Sequence, residues 1–512
     1  MKKKQLIINI ISNVLALGIQ LGINFILTPI IVDKVGNAAY GFIGLANNFV
    51  SYASILTIAI NSMASRFITM ELSKGNIENA NKYYSSVFIM DILLSIIIAV
   101  ASIIMIANLN SLLEIPVELE KDVQLTFILA FANFIISLLS TIFTIATFAK
   151  NRLDIEAIKN IVANILKAIA LIVLFSLLIP KVYYISLAAV IYTIFTFITS
   201  IFITKKIAPE LKVSRKNYSK QYVITVIKSG IWNSINNLSR ILLTGLDLLI
   251  ANLFVGADAM GILSIAKTIP TTIENFLGTI ANVFTPNFIY LYSKNKIREL
   301  IKEVKFSIKI IALIMIVPMA GFIVFGHDFF TLWLNGKSIE EINQIQILSI
   351  LSLLPYVLSC NEFTLYLLDT VTNKLKRPVV FTFIMSILST ISTIVLLKNT
   401  NLGIYAVASV SSIYWCIKMI IFTPINAAKN LRVKWYTFFP IFIKLTISFL
   451  LIMSSFMIIE NFLCLNSWKN FIIYIGLIGS LGYILSFLII LDKNEKNKLF
   501  AIVKNRIKRK NI

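Results

Sequence analysis

Three pairs of ionisable residues recur at a spacing of seven inside runs that are otherwise apolar: Arg240/Asp247, Lys267/Glu274 and Glu362/Asp369. Seven residues is two helical turns, so both members of a pair face one side, about 10 Å apart. That is too far for pairing within one helix. Antiparallel neighbouring helices could instead pair Arg240 with Glu274 and Asp247 with Lys267. Two readings follow. One is a ladder of buried structural ion pairs. The other is a charged central cavity whose cations take an anionic group and whose carboxylates bind H⁺ or Na⁺. Asp91 and Lys418 stand equally isolated among apolar residues.

Polar stripes accompany the charges. Asn13, Gln20, Asn24 and Thr28 share one helical face, and Asn47, Ser51, Ser54, Asn61 and Ser65 share another. Asn233, Asn236, Asn237, Arg240, Thr244 and Asp247 form a third. Hydrogen bonding between helices is one use for such stripes. A shared wet cavity is the other. Arg66, near the end of the second stripe, offers a fork of donors suited to phosphate.

The elements that must position these groups follow from composition. Of 512 residues 58% are hydrophobic and 14% charged, with a mean hydropathy of +0.86. An ordinary soluble domain carries roughly a quarter charged residues. A soluble enzyme or nucleic-acid module is therefore excluded as the main body, despite a net charge of +23. Fourteen apolar runs of about membrane-spanning length are present, the first near 8–32, the second near 41–65, the seventh near 222–254 and the eighth near 260–289. With the N-terminus inside, 34 of the 47 Lys and Arg fall in cytoplasmic segments and 6 in outer loops. That asymmetry orients both termini to the cytoplasm of a plasma membrane. A charge held within a span and facing lipid costs about 2.5–3.5 kcal/mol, so most of them must face protein, water or each other.

Little else could do chemistry. Cys360, Cys416 and Cys464 form no CxxC pair, and His327 is the one histidine. No metal site is expected, no cofactor beyond coupled H⁺ or Na⁺, and no nucleotide-driven step, since GxGxxG and Walker motifs are absent. A membrane polymerase or ligase would need a large outer loop bearing catalytic residues, and the outer loops here are short.

A shift of 220 residues brings 34–46 into register with 254–266, with Val35/Val255, Gly36/Gly256, Ala39/Ala259, Gly41/Gly261 and Ala46/Ala266 identical. The same shift aligns Asn13 with Asn233 and Gln20 with Arg240. Spans 1–6 (1–204) and 7–12 (222–428) are thus expected to form two all-α lobes related by a pseudo-twofold along the membrane normal. A linker (205–221) joins them, two further spans (429–491) follow, and a basic tail (492–512) ends the chain.

The segment Thr28-Pro29 through Gly36 to Tyr40-Gly41, with Asp247, Gly256, Gly261, Ala266 and Thr285-Pro286 as its later counterpart, resembles the multidrug/oligosaccharidyl-lipid/polysaccharide superfamily. Within it the chain is most similar to Wzx-type polysaccharide repeat-unit flippases. The resemblance implies a V-shaped two-lobed transporter, not an enzyme. It would move an undecaprenyl-pyrophosphate-linked oligosaccharide from the inner to the outer leaflet of the bacterial plasma membrane, with membrane lipids and a polysaccharide polymerase as partners. Arg240, Lys267, Asn13, Gln20, Asn24, Asn233, Asn237, Arg66 and Lys418 are the expected substrate contacts. Asp247, Glu274, Asp91, Glu362 and Asp369 are the expected ion-coupling or structural charges. A cation-coupled multidrug exporter and a lipid II flippase are the alternatives within the superfamily.

Overall fold

Backbone that crosses hydrocarbon must bond its own N–H and C=O groups, and a long run of Leu, Ile and Phe does so as a helix. The computed structural model describes residues 3–358, 362–463, 465–492 and 495–496. Of the features singled out above, Cys360, Cys464 and most of the basic tail lie outside the described residues, as does the side chain of Glu362. Among the described residues every regular element is helical.

The first six crossings are α1 (Lys3–Val35), α2 (Asn37–Ser73), α3 (Ile77–Ala107), α5 (Glu120–Ala149), α6 (Leu153–Leu177) and α7 (Tyr183–Ile207), with a short α4 (Leu109–Leu112) outside the frame. Then come α8 (Lys220–Arg240), a π-helical segment Ile241–Gly245 and α9 (Asp247–Phe254), read as one passage. The next passage is broken into α10 (Ala257–Ala266), α11 (Thr268–Asn282) and α12 (Thr285–Ser293). It is followed by α13 (Ile297–Trp333), α14 (Ile339–Leu358), α15 (Glu362–Val371) and α16 (Lys376–Asn399). The chain closes with α17 (Ile404–Ile417), a second π segment Lys418–Phe422, α18 (Thr423–Asn430), α19 (Phe439–Glu460) and α20 (Trp468–Ile490). Among the described residues, 12 helices are long and apolar enough to cross a membrane. The other two expected crossings fall on the interrupted passage α10–α12 and on α14 with α15, which flank residues outside the described ones.

Packing divides into two compact units, Met1–Ile265 with Thr382–Val407, and Ala266–Phe381 with Ala408–Ile512. In the first, α2 packs along α8. Gly230 makes this approach feasible, because a Cβ there would lie 2.0 Å from the Ala59 carbonyl oxygen. The linker belongs to this unit. Asn81 accepts from the Lys212 N–H (2.7 Å) and donates to the Glu210 carbonyl (2.9 Å), which ties it to α3.

The repeat is visible in the same unit. Gly36 and Gly256 both take positive φ (81° and 118°) at the turns α1–α2 and α9–α10, where a side chain would strain the backbone. A Cβ on Gly41 would lie 2.8 Å from the Cα of Gly261, and one on Gly44 would lie 2.6 Å from Ser264 Oγ. Each of these residues touches its own repeat equivalent. A twofold axis passing between α2 and α10 produces that kind of self-contact.

The second unit is built on α13, against which α19 and α20 pack. At its inner end Lys309 donates to Asp492 (2.6 Å) and Glu495 (2.8 Å), while Lys444 donates to Asp492 (2.8 Å). These lysines hold the chain where it leaves α20.

Gly230→Ala should lower the unfolding midpoint of the purified protein, at a cost of at least ~2 kcal/mol from overpacking. Gly476→Ala, which meets nothing within 4 Å, should be neutral or gain up to about 1 kcal/mol in helix propensity. Equal midpoints for the two variants would refute the close α2–α8 approach.

Candidate functional site

The interruptions fall beside the charges singled out above. Arg240 ends α8 and Asp247 opens α9, with the π segment Ile241–Gly245 between them. A π turn shifts the hydrogen-bond ladder by one residue. Side chains add donors to its carbonyls. Asn48 Nδ2 (3.0 Å) and the Tyr52 hydroxyl (2.7 Å), both on α2, donate to the Gly245 carbonyl. Thr390 on α16 donates to the Leu242 carbonyl (3.3 Å). Asp247 is buried and Arg240 exposed. Buried Asn252 bonds both backbone groups of Glu114 at 3.0 Å, fixing the outer end of α9.

Lys267 occupies the break between α10 and α11. The Ala266 carbonyl freed there accepts from Ser349, a fully buried hydroxyl of α14, at 2.8 Å. Glu274 lies two turns further along α11. Arg240 and Asp247 belong to the first compact unit, Lys267 and Glu274 to the second.

Lys418 is buried at the start of the second π segment. Its ammonium sits 4.2 Å from the centroid of the Trp415 ring and 5.8 Å from that of Tyr366. A desolvated cation gains more from an aromatic face than an exposed one. The Lys418 carbonyl accepts from Thr423 twice, from its backbone N–H and from its hydroxyl (3.1 Å). Nearby, buried Asp369 accepts from Asn426 and Asn430 of α18, both at 2.7 Å.

The remaining expected residues are spread over α1, α2, α3 and α8. Asn13, Gln20 and Asn24 are exposed along α1, and Arg66 is exposed near the inner end of α2. Asn233 donates to Ser62 (3.1 Å), a link between α8 and α2, and Asn237 is half-buried. Asp91, fully buried in α3, accepts from Asn61 of α2 at 2.9 Å. Sequence reasoning did not single out Asn48, Tyr52, Thr390, Ser349, Asn426 or Asn430. Their signal lies in the partner segment's geometry, although Gly245 and Pro424 mark both π segments as weak points of a helix.

A separate apolar cavity of about 420 Å³ opens between α13, α19 and α20. Pro318, Phe322, Phe329, Phe456, Gly479 and Tyr483 are among the residues that line it.

The helical fold is that of solved transporters of the MOP superfamily. An inward-facing multidrug resistance MATE family transporter of that superfamily superposes with a TM-score of 0.64, at 14% identity, covering 81% of this chain and 96% of its own. A MOP superfamily transporter from Pyrococcus furiosus, described as having a binding pocket of reverse polarity, gives 0.60 at 15% identity, covering 83% and 96%. The family description for polysaccharide biosynthesis proteins matches residues 6–292, and the chain belongs to that family. A relative in Bacillus subtilis (strain 168), the uncharacterized membrane protein EpsK, is 26% identical over 490 residues, 96% of each chain.

Two outcomes follow. Because Asn48 and Tyr52 share one acceptor, Asn48→Ala and Tyr52→Phe should each cost about 0.6 kcal/mol. The double variant should cost more than their sum, by leaving the carbonyl unbonded. Additive unfolding midpoints would refute the shared cap. Hydrogen bonds from Lys309 and Lys444 hold the Asp492 carboxyl down to about 2, against about 3.9 unfolded. Its contribution is full above about pH 4 and lost as pH falls through about 2. The stability gap between wild type and Asp492→Asn should therefore close over that window. It should be small, since the carboxylate is 61% exposed.

Proposed function

We propose that this protein is a flippase. It moves an undecaprenyl-pyrophosphate-linked oligosaccharide from the inner to the outer leaflet of a bacterial plasma membrane by alternating access. The family membership and transporter fold support a membrane transport role in polysaccharide biosynthesis. The observation that carries the lipid-linked substrate is the apolar cavity between α13, α19 and α20. It involves two helices beyond the repeated twelve, and its aromatic and glycine lining suits a hydrocarbon chain better than a sugar. Solved superfamily members leave about a fifth of this chain without counterpart, in keeping with elements added to a common frame.

In this reading the polar and cationic groups take the glycan and its diphosphate. Arg240, exposed beside a π segment, and Lys267, at a helix break, are placed where short movements of backbone would change their reach. Arg66, Asn13, Gln20, Asn24, Asn233, Asn237 and Lys418 are the further substrate contacts of this reading. The protein is a secondary transporter that catalyses no bond change, and a polysaccharide polymerase takes the product at the outer face. Both termini face the cytoplasm, where the basic loops lie.

Arg240→Ala and Lys267→Ala should each reduce surface polysaccharide in cells at least tenfold, with protein level in the membrane unchanged. Removing one of two charge-assisted phosphate contacts at about 1.5–3 kcal/mol gives a loss of that order. Full display by both variants would overturn their role. Altered drug susceptibility with normal polysaccharide would instead favour a multidrug exporter.

A further inference from the structure

Asp91 lies fourteen residues into α3, about 21 Å from its cytoplasmic start at Ile77. Its side chain is fully buried. Among the described residues its hydrogen-bond partner is Asn61 Nδ2, at 2.9 Å to Oδ1. Two oxygens at this contact have no partner: Asp91 Oδ2 and Asn61 Oδ1. A carboxylic acid and a carboxamide side by side form a cyclic pair. The amide N–H donates to the acid carbonyl, and the acid O–H donates to the amide carbonyl. Half of that pair is made here. The two unpartnered oxygens are the atoms that the missing proton would join. Ser95, one turn along α3, adds a third unpartnered buried oxygen, a hydroxyl.

We propose that Asp91 and Asn61 form a proton-binding site within the membrane, closed by a proton on Asp91 Oδ2 donated to Asn61 Oδ1. Binding forms one O–H bond and removes one negative charge from a fully buried group. Release returns the proton to water and leaves a carboxylate with a single amide donor, a costly state in a medium of low dielectric. The half-buried Asn61 belongs to the polar stripe of α2. The two protonation states thus favour different separations of α2 and α3. The use of this difference to drive export rests on the flippase reading; the site itself does not.

Other ionisable groups do not share the proton. On α3, Glu78 is bridged by Lys82, and buried Tyr84 lies two turns away. On α2, Glu71 is bridged by Lys74 and Arg66 is exposed. On α8, Tyr222 donates to Asn79 and Lys228 is exposed. Arg215 and Lys216 sit in the cytoplasmic 3₁₀ turn. α5 carries no charged residue from 123 to 149.

Infrared difference spectra of the purified full chain, taken across the pH range in which it stays folded, test the site without any substrate. The C=O stretch of a protonated carboxylic acid should be present at neutral pH and lost in Asp91→Asn. In Asn61→Ala it should move to higher frequency, as the acid loses its acceptor. A wild-type spectrum matching that of Asp91→Asn overturns the proposal. Should Asp91→Asn fail to accumulate, an unmoved band in Asn61→Ala overturns it equally. In cells, Asp91→Asn should keep normal protein level while surface polysaccharide falls and no longer varies with external pH. Unchanged export with unchanged pH dependence would remove the coupling role while leaving the flippase reading to its own test.

Discussion

Inside hydrocarbon a peptide carbonyl that loses its helical N–H has no water to turn to, and an unmet one costs several kcal/mol. This chain interrupts its helices and brings side-chain donors to the carbonyls at those places. Asn48 and Tyr52 serve Gly245, Thr390 serves Leu242, Ser349 serves Ala266, and Thr423 serves Lys418. The interruptions are therefore built positions rather than frayed ones. The same carbonyls adjoin Arg240, Asp247, Lys267 and Lys418. A helix broken in this way bends at a fixed place, and a bend at a fixed place is what moves a side chain between two surroundings.

Charges within the apolar body are handled in four distinct ways. Asp369 is surrounded by amide donors, Lys418 lies on an aromatic face, Lys309 and Lys444 gather carboxylates at the boundary, and Asp91 keeps a single amide. The first three arrangements are closed and hold elements together. The fourth is open. Physical completeness of the shell, more than residue type, separates anchoring groups from groups able to change state.

Much of this was legible in the residues. Run lengths and the Lys/Arg asymmetry point to the helical crossings, and the 220-residue shift points to the contact of Gly41 with Gly261. Asn61 stood in a stripe and Asp91 among the isolated charges, but nothing in one sequence joins positions 61 and 91. Their pairing depends on how α2 and α3 lean together. The π segments were hidden for a similar reason. Local pattern reads Ile241–Gly245 as ordinary apolar helix, and the decision is made by donors on α2 and α16. The broken passage α10–α12 kept the hydropathy of a continuous span, so its interruptions also escaped.

The self-contacts at Gly41/Gly261 and Gly44/Ser264 carry a consequence for descent. Had the two halves come from one duplicated gene, a side chain enlarged at such a position would first have met its own copy, so each change would have counted twice against packing. Drift is possible there only if one half grows while the other stays small. Gly44 opposite Ser264 is such a compromise, one hydroxymethyl group held against a bare Cα. The axis is therefore where divergence between the halves should be slowest, and where the ancestry of the molecule is best preserved.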